Sequence, residues 1–458
     1  MELLLKNANI VTDSENYISD LYIVDGTIQR IEKNIEIPTT KVIDLEGKYL
    51  IPGGIDVHTH FNIDVGIAKS VDDFYTGTVA AACGGTTTII DHMGFGPKGC
   101  TLHHQLERYH EFAENNAVID YGFHGVIQHI DEKILDEIDS MVADGVPSFK
   151  GYMTYDYKLS DREMLELSKK VLLAGGLLTV HPENDDMIDY LKNKFALERK
   201  LSPKYHGESR PSRCEGEAVN RMLDITSVTN CPLYIVHLSC SEGLEHIKVA
   251  KNQGQKVFAE TCPQYLVLDE ECYSLPENEG LKYICSPPIR EKRHQEKLWE
   301  GIREGYIQTV ATDHCSFNFL EQKIMGKDDF RKCPNGLPGV ETRIPLIFSE
   351  GVSKGRIDIK KFVEVVSTNP AKLFGIYPQK GCIQIGSDAD LVVIDPNIKK
   401  KITKEDLHEN TDYTPFEGIE VLGYPVMTIS RGEIIVEDNK FIGKKGRGKF
   451  LKREKFSL

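Results

Sequence analysis

Polar and apolar positions alternate in the manner of β-strands through the first fifty residues. LLLKNANIVT, DLYIVDGTIQRIE and KVIDLEGKYLIPGGID carry β-branched residues in short runs, broken by the turn pairs Asp25-Gly26 and Glu46-Gly47. The same texture returns in GCIQIGSDADLVVID (381–395) and VMTISRGEIIVEDNKFIG (426–443). Two strand-rich ends around a different middle predict one smaller β-sandwich domain assembled from both termini, residues 1–50 and 379–443.

The middle, 51–378, alternates short apolar runs with helical patterns. Eight runs read as strands: 51–57, 86–91, 118–126, 147–153, 176–182, 232–239, 256–263 and 307–315. Between them lie segments of helical period such as VDDFYTGTVAAACG, DEKILDEIDSMVADG, SDREMLELSKKVLLAGG and SEGLEHIKVAKNQG. Several open on Ser or Asp and close on Gly, as helix ends require. Eight strand–helix units predict an α/β fold, a (β/α)8 TIM barrel. An open doubly wound sheet is the competing architecture, but no G-x-G-x-x-G follows an early strand to favour it. Residues 316–340, polar and rich in Gly and Pro, read as a loop.

Composition narrows the class. The chain of 458 residues is 40% hydrophobic and 27% charged, ordinary for a soluble globular protein. Its net charge of -15 argues against nucleic acid or an anionic membrane as partner. The basic tail KKGRGKFLKREKF is the local exception, and residues 444–458 read as a solvated or subunit-contacting arm. Eleven cysteines without a C-x-x-C pair, and no N-terminal signal peptide, predict free thiols and a cytoplasmic location.

The unusual residues fall at the C-terminal ends of the predicted barrel strands, where this fold places its active sites. His58 and His60 end the first run in DVHTH. Lys150 lies in SFKGYMTY, His181 in TVHPEN, His237 in IVHLS and Asp313 in ATDHC. Strand alternation turns His58 and His60 to one side, so both can hold one ion. Any one of these residues is more often structural than a ligand. Four histidines, an aspartate and a lysine at one barrel end together predict a site for Zn, Mn, Fe, Co or Ni. A buried ammonium at Lys150 is costly unless it is neutralised or paired.

These motifs, with ETCPQYL (260–266), SPPIR (286–290), CPNGLPGVETR (333–343), STNPAKLFGI (367–376) and IGSDADLVVID (385–395), resemble the hydantoinase and dihydropyrimidinase family of binuclear amidohydrolases. The resemblance runs nearly end to end. It implies that Lys150 is carboxylated on its side-chain nitrogen and bridges two divalent metal ions, zinc first among the candidates. His58, His60 and Asp313 would hold one ion, His181 and His237 the other. A hydroxide between the ions would attack the substrate carbonyl. Asp313 would relay the proton, and Tyr155 would donate to the developing oxyanion. Backbone groups near Ser286 and Asn335 would read the flat edge of a small cyclic imide or ureide. The implied reaction is ring opening of D-5-monosubstituted hydantoins to N-carbamoyl-D-amino acids by a homotetramer. Apolar residues Ile63, Val65, Ile67, Phe95, Tyr152 and Met153 favour an aromatic or bulky ring substituent. Dihydropyrimidinase activity on dihydrouracil-type rings is the alternative. A non-catalytic scaffold is a further one, against which all six ligand positions are filled.

Overall fold

In the computed structural model, residues 2–38 and 41–458 are described. The terminal domain is a nine-stranded mixed sheet. Its first strands are β1 (Glu2–Val11), β2 (Asn16–Val24), β3 (Thr27–Glu32), β4 (Val42–Asp44) and β5 (Tyr49–Pro52). The barrel follows with β6 (Gly54–Thr59), β7 (Thr86–His92), β8 (Asp120–Val126) and β9 (Ser148–Tyr152). It continues with β10 (Leu177–His181), β11 (Leu233–Ile235), β12 (Val257–Thr261) and β13 (Thr309–Val310). The terminal sheet is completed by β14 (Leu391–Lys401), β15 (Glu420–Ser430), β16 (Glu433–Glu437) and β17 (Lys440–Phe441).

The terminal sheet runs in the order β17-β16-β15-β14-β5-β1-β2-β3, with β4 beside β1. Strands from the two chain ends meet where β5 pairs antiparallel with β14. Leu3, Leu5, Ile10, Leu21 and Ile23 from one end share a single core with Leu391, Val393 and Ile429 from the other. The expected domain boundary at residue 50 falls inside β5, because Ile51 and Pro52 still pair with Val392 and Leu391.

Strands β6 to β13 form an eight-stranded parallel sheet in sequential order. A parallel bridge between Thr59 and His314, with the His60 N–H donating to the His314 carbonyl at 2.8 Å, closes it into the barrel. The helices α1 (Phe74–Cys83), α2 (Leu102–Ala113), α3 (Glu132–Ala143) and α4 (Asp161–Ala174) each fill one crossover. Three helices, α5 (Asp185–Leu197), α6 (Lys204–Ser209) and α7 (Ser212–Thr229), separate β10 from β11. After them come α8 (Ser241–Asn252), α9 (Pro263–Val267) and α10 (Lys292–Arg303). Local chemistry sets these ends. The Ser160 hydroxyl accepts from the Glu163 N–H at the start of α4, and Gly175 ends that helix at φ +77°. Among the described residues no helix is long and apolar enough to cross a membrane.

Two expectations are corrected here. The runs at 232–239 and 307–315 yield only three- and two-residue strands, β11 and β13. The basic tail does not stand off as an arm. The Leu451 N–H donates to the Tyr121 carbonyl at 2.7 Å and the Tyr121 N–H to that of Lys449 at 3.0 Å, so the segment runs beside β8. Arg453 is buried there, its guanidinium donating to the Phe123 carbonyl and, at 2.8 Å, to the Ser148 hydroxyl.

Candidate active site

The C-terminal ends of the barrel strands bring all six anticipated ligand residues together. Lys150, on β9, is 1% exposed, and its Nζ lies 2.9 Å from His58 Nε2. His58 Nε2 also faces Asp313 Oδ1 at 3.0 Å, and His60 Nε2 reaches the same oxygen at 3.2 Å. His181 Nδ1 and His237 Nε2 are 2.9 Å apart. His237 and Asp313 lie two and three residues beyond their short strands, at φ +38° and +54°. Tyr155 turns off β9 at φ +68°. Three side chains of one site are thus aimed by left-handed backbone, a strained conformation that recurs at functional sites. The neighbours hold it: the Thr312 hydroxyl donates to Asp56 at 2.6 Å, and the His237 N–H donates to Glu260 at 3.0 Å.

Two carboxylates missed in the sequence stand behind the imidazoles. Glu183 Oε2 accepts from His181 Nε2 at 2.7 Å and is itself held by Arg210 at 2.7 Å. Glu260 takes His58 Nδ1, and its other oxygen accepts from the Tyr234 hydroxyl at 2.9 Å. Each bond places the ring proton on the carboxylate side and turns a bare lone pair into the site. Both carboxylates sat inside quoted motifs, in HPEN and ETCP, but nothing in sequence spacing said which histidine each would support.

This arrangement tests the fit of metal ions. His58 lies between two carboxylates, Glu260 on Nδ1 and Asp313 on Nε2 at 3.0 Å. Burial and Lys150 oppose a charge there, but the two carboxylates outweigh them, raise its pKa and favour a cation at this point, a proton or a metal ion. His237 Nε2 can donate to the bare Nδ1 of His181 at 2.9 Å, which leaves His237 Nδ1 buried without a partner. Buried imidazoles, a carboxylate and an amine able to become a carbamate are a donor set suited to borderline divalent ions.

Electrostatics agree. Burial pushes the Lys150 amine down to about 8. Burial holds the His60 ring down to about 4, and holds His237 well below the usual imidazole range. Burial pushes the Asp313 carboxyl up, but His58 and His60 outweigh it and keep the group well below the ordinary carboxylate range. The Tyr155 phenol is pushed by burial up to about 12, so it remains a donor.

A cavity of about 550 Å³ opens onto these residues. Ile63, Val65, Ile67, Phe95 and Tyr152 line it, as expected. Met153 does not; it packs into the barrel core. Tyr157, not anticipated, stacks on Phe95 with ring centres 3.8 Å apart and planes 9° apart, and both flank the opening. Ser286 and Asn335 lie on the wall, and the Ser286 hydroxyl is buried without a partner.

Residues 49–435 match the sequence model of the amidohydrolase family. The chain belongs to the amidohydrolase family. It is 52% identical to the D-phenylhydantoinase of Escherichia coli O7:K1 (strain IAI39 / ExPEC), covering all of this chain and 99% of that protein. A crystal structure of D-hydantoinase superposes with a TM-score of 0.98 at 45% identity, each chain fully covered. The dihydropyrimidinase of Brevibacillus agri NCHU1002 gives 0.98 at 42%, again over both whole chains. For an amidohydrolase the placement is apt: the reactive groups gather at the C-terminal ends of the barrel strands, beside the cavity.

Proposed function

We propose that this chain opens the ring of D-5-monosubstituted hydantoins carrying aromatic substituents, releasing N-carbamoyl-D-amino acids. The observation that carries the reading is the pair of carboxylate-anchored imidazoles, His58 and His181, turning their other ring nitrogens toward Lys150, Asp313 and His237. His58, His60 and Asp313 would hold one divalent ion, His181 and His237 a second, with carboxylated Lys150 between them. When bound, such ions, zinc first among them, polarise a carbonyl and make a nearby water acidic.

The chain's own groups supply the rest. Asp313, ionised, accepts a proton from the attacking water on its carboxylate and returns it to the departing ring nitrogen. The water oxygen bonds to the ring carbonyl carbon as the carbon–nitrogen bond to the imide nitrogen breaks. The Tyr155 hydroxyl donates to the oxygen on which charge develops. The Ser286 hydroxyl, without a protein partner, and the backbone around Asn335 hold the imide edge. Phe95, Tyr152 and Tyr157 offer flat apolar faces to an aromatic substituent.

The dihydropyrimidinase reading has its own support in the Brevibacillus agri relative. A rate panel over D- and L-phenylhydantoin, hydantoin and dihydrouracil separates the two. D-phenylhydantoin is expected to be turned over fastest, and comparable rates on dihydrouracil would remove the aromatic preference. Asp313→Asn should lower kcat by about 10²–10⁴-fold, the usual worth of a general acid–base group, while leaving some metal bound. Near-normal turnover in that variant would defeat its assignment. Free thiols at all eleven cysteines support a cytoplasmic location. The family resemblance extends the reading to a homotetramer.

A further inference from the structure

His92 closes β7, the strand next to β6, and has no part in the reaction described above. It is 1% exposed. Neither Nδ1 nor Nε2 has a hydrogen-bond partner, and no other buried histidine among the described residues leaves both bare. A neutral imidazole carries one donor and one acceptor, and burying both unmatched is costly. The ring beneath cannot supply the missing bond. His124 stacks on His92 at 4.2 Å and 17°, but its own nitrogens are engaged by the Ser148 hydroxyl at 2.7 Å and the Val57 carbonyl at 2.9 Å. On the other side, the His92 ring centre is 4.3 Å from that of His58 and 5.2 Å from that of His60. One nitrogen from each of His58, His60 and His92 falls within 4.8 Å of the other two. Donors at about 2.0–2.1 Å from one ion lie at most about 4 Å apart, so a small ring rotation completes the set.

We propose that His92 is a further nitrogen ligand of the metal ion held by His58 and His60. The proposal rests on the metal-centre reading above and extends it to a further strand, β7. A tautomer with one nitrogen on the ion removes one of the two unmatched atoms. His92 then rests on His124, which the Ser148 hydroxyl fixes from below. If His92 were only an aromatic spacer between His58 and His124, a phenylalanine would serve equally well.

The test is a Co²⁺ titration of metal-free protein, read both as affinity and as the visible absorption spectrum, which reports the ligand set rather than turnover. Wild type is compared with His92→Phe, which keeps the ring, and His92→Gln, which keeps polarity without imidazole. Far-ultraviolet circular dichroism confirms that each variant is folded. Wild type is expected to bind two Co²⁺. Both variants should hold one of them about 10–100-fold more weakly, the scale on which a lost supporting group acts at a metal site, with altered bands for that ion. Unchanged affinity and spectrum in the variants would overturn the proposal and leave the two-metal site standing. Weaker binding with a wild-type spectrum would also reject direct ligation. Wild-type protein unable to bind two ions would sink both readings together.

Discussion

At the scale of single residues, Lys150 is the position whose environment speaks most directly. Its amine is buried, faces an imidazole and is pushed by burial down to about 8. Only the neutral amine can attack carbon dioxide, and its fraction rises with pH through that value. Metal-free protein at fixed dissolved CO₂ should therefore gain the mass of a carboxyl group, with release of a proton, at an initial rate that rises from about pH 6.5 to about pH 8.5 and then levels off. An initial rate flat across that window, followed by intact mass under mild conditions, would show that Lys150 is not the titrating group. Lys150 was legible in the sequence because an ammonium inside an apolar run is anomalous by itself. His58 and His60 were legible from strand parity. Glu260 was not: it supports His58 across 202 residues, and no local pattern records such a partner. His92 was passed over for the same reason, since its significance lies in neighbours on β6 and β8.

At the scale of elements, apolar periodicity located every barrel strand but misjudged where two of them stop. A buried extended connection repeats the same residue types as a strand. So His237 and Asp313 were placed at the correct barrel end, while their left-handed backbone stayed hidden. The basic tail was misread because composition describes average solvation rather than contacts. Arg453 buries a guanidinium whose planar fork meets the Phe123 carbonyl and the Ser148 hydroxyl. Arg453→Met keeps apolar volume but removes the guanidinium from the Phe123 carbonyl and leaves the Ser148 hydroxyl with His124 alone, and is expected to cost about 1–3 kcal/mol. Removing residues 447–458 should cost more, because the backbone bonds at Tyr121 are lost as well. Urea unfolding followed by circular dichroism measures both. An unchanged midpoint in the truncated chain would mean that the segment adds nothing to the barrel.

At the scale of the whole molecule, one buried lysine joins barrel to terminal sheet. Lys380 Nζ lies 2.6 Å from Asp120 on β8, 2.6 Å from Asp390 just before β14, and 2.9 Å from Asp388. Asp120 also accepts the Lys449 N–H at 2.9 Å, so the C-terminal segment is tied to the same cluster. Burial alone would lower the Lys380 pKa, but the three carboxylates outweigh it and hold it above the ordinary lysine value. The stabilisation is therefore fully present below the unfolded value of about 10.4 and is lost only as pH rises through the higher folded one. Lys380→Met leaves buried Asp390 without its amine and Asp120 with only Arg431 at 3.2 Å, and should destabilise the protein by about 3–5 kcal/mol near neutral pH. Burial already pushes the Asp390 carboxyl up, so acidification protonates it first and the deficit relative to wild type should shrink as pH falls. Urea midpoints for both proteins at neutral and acidic pH decide it. Equal deficits at both would mean that lost packing, rather than unpaired charge, is the cost of removing the amine. No deficit at either would mean that the two domains hold together without this cluster, through the β5–β14 pairing and the apolar cores on either side of it.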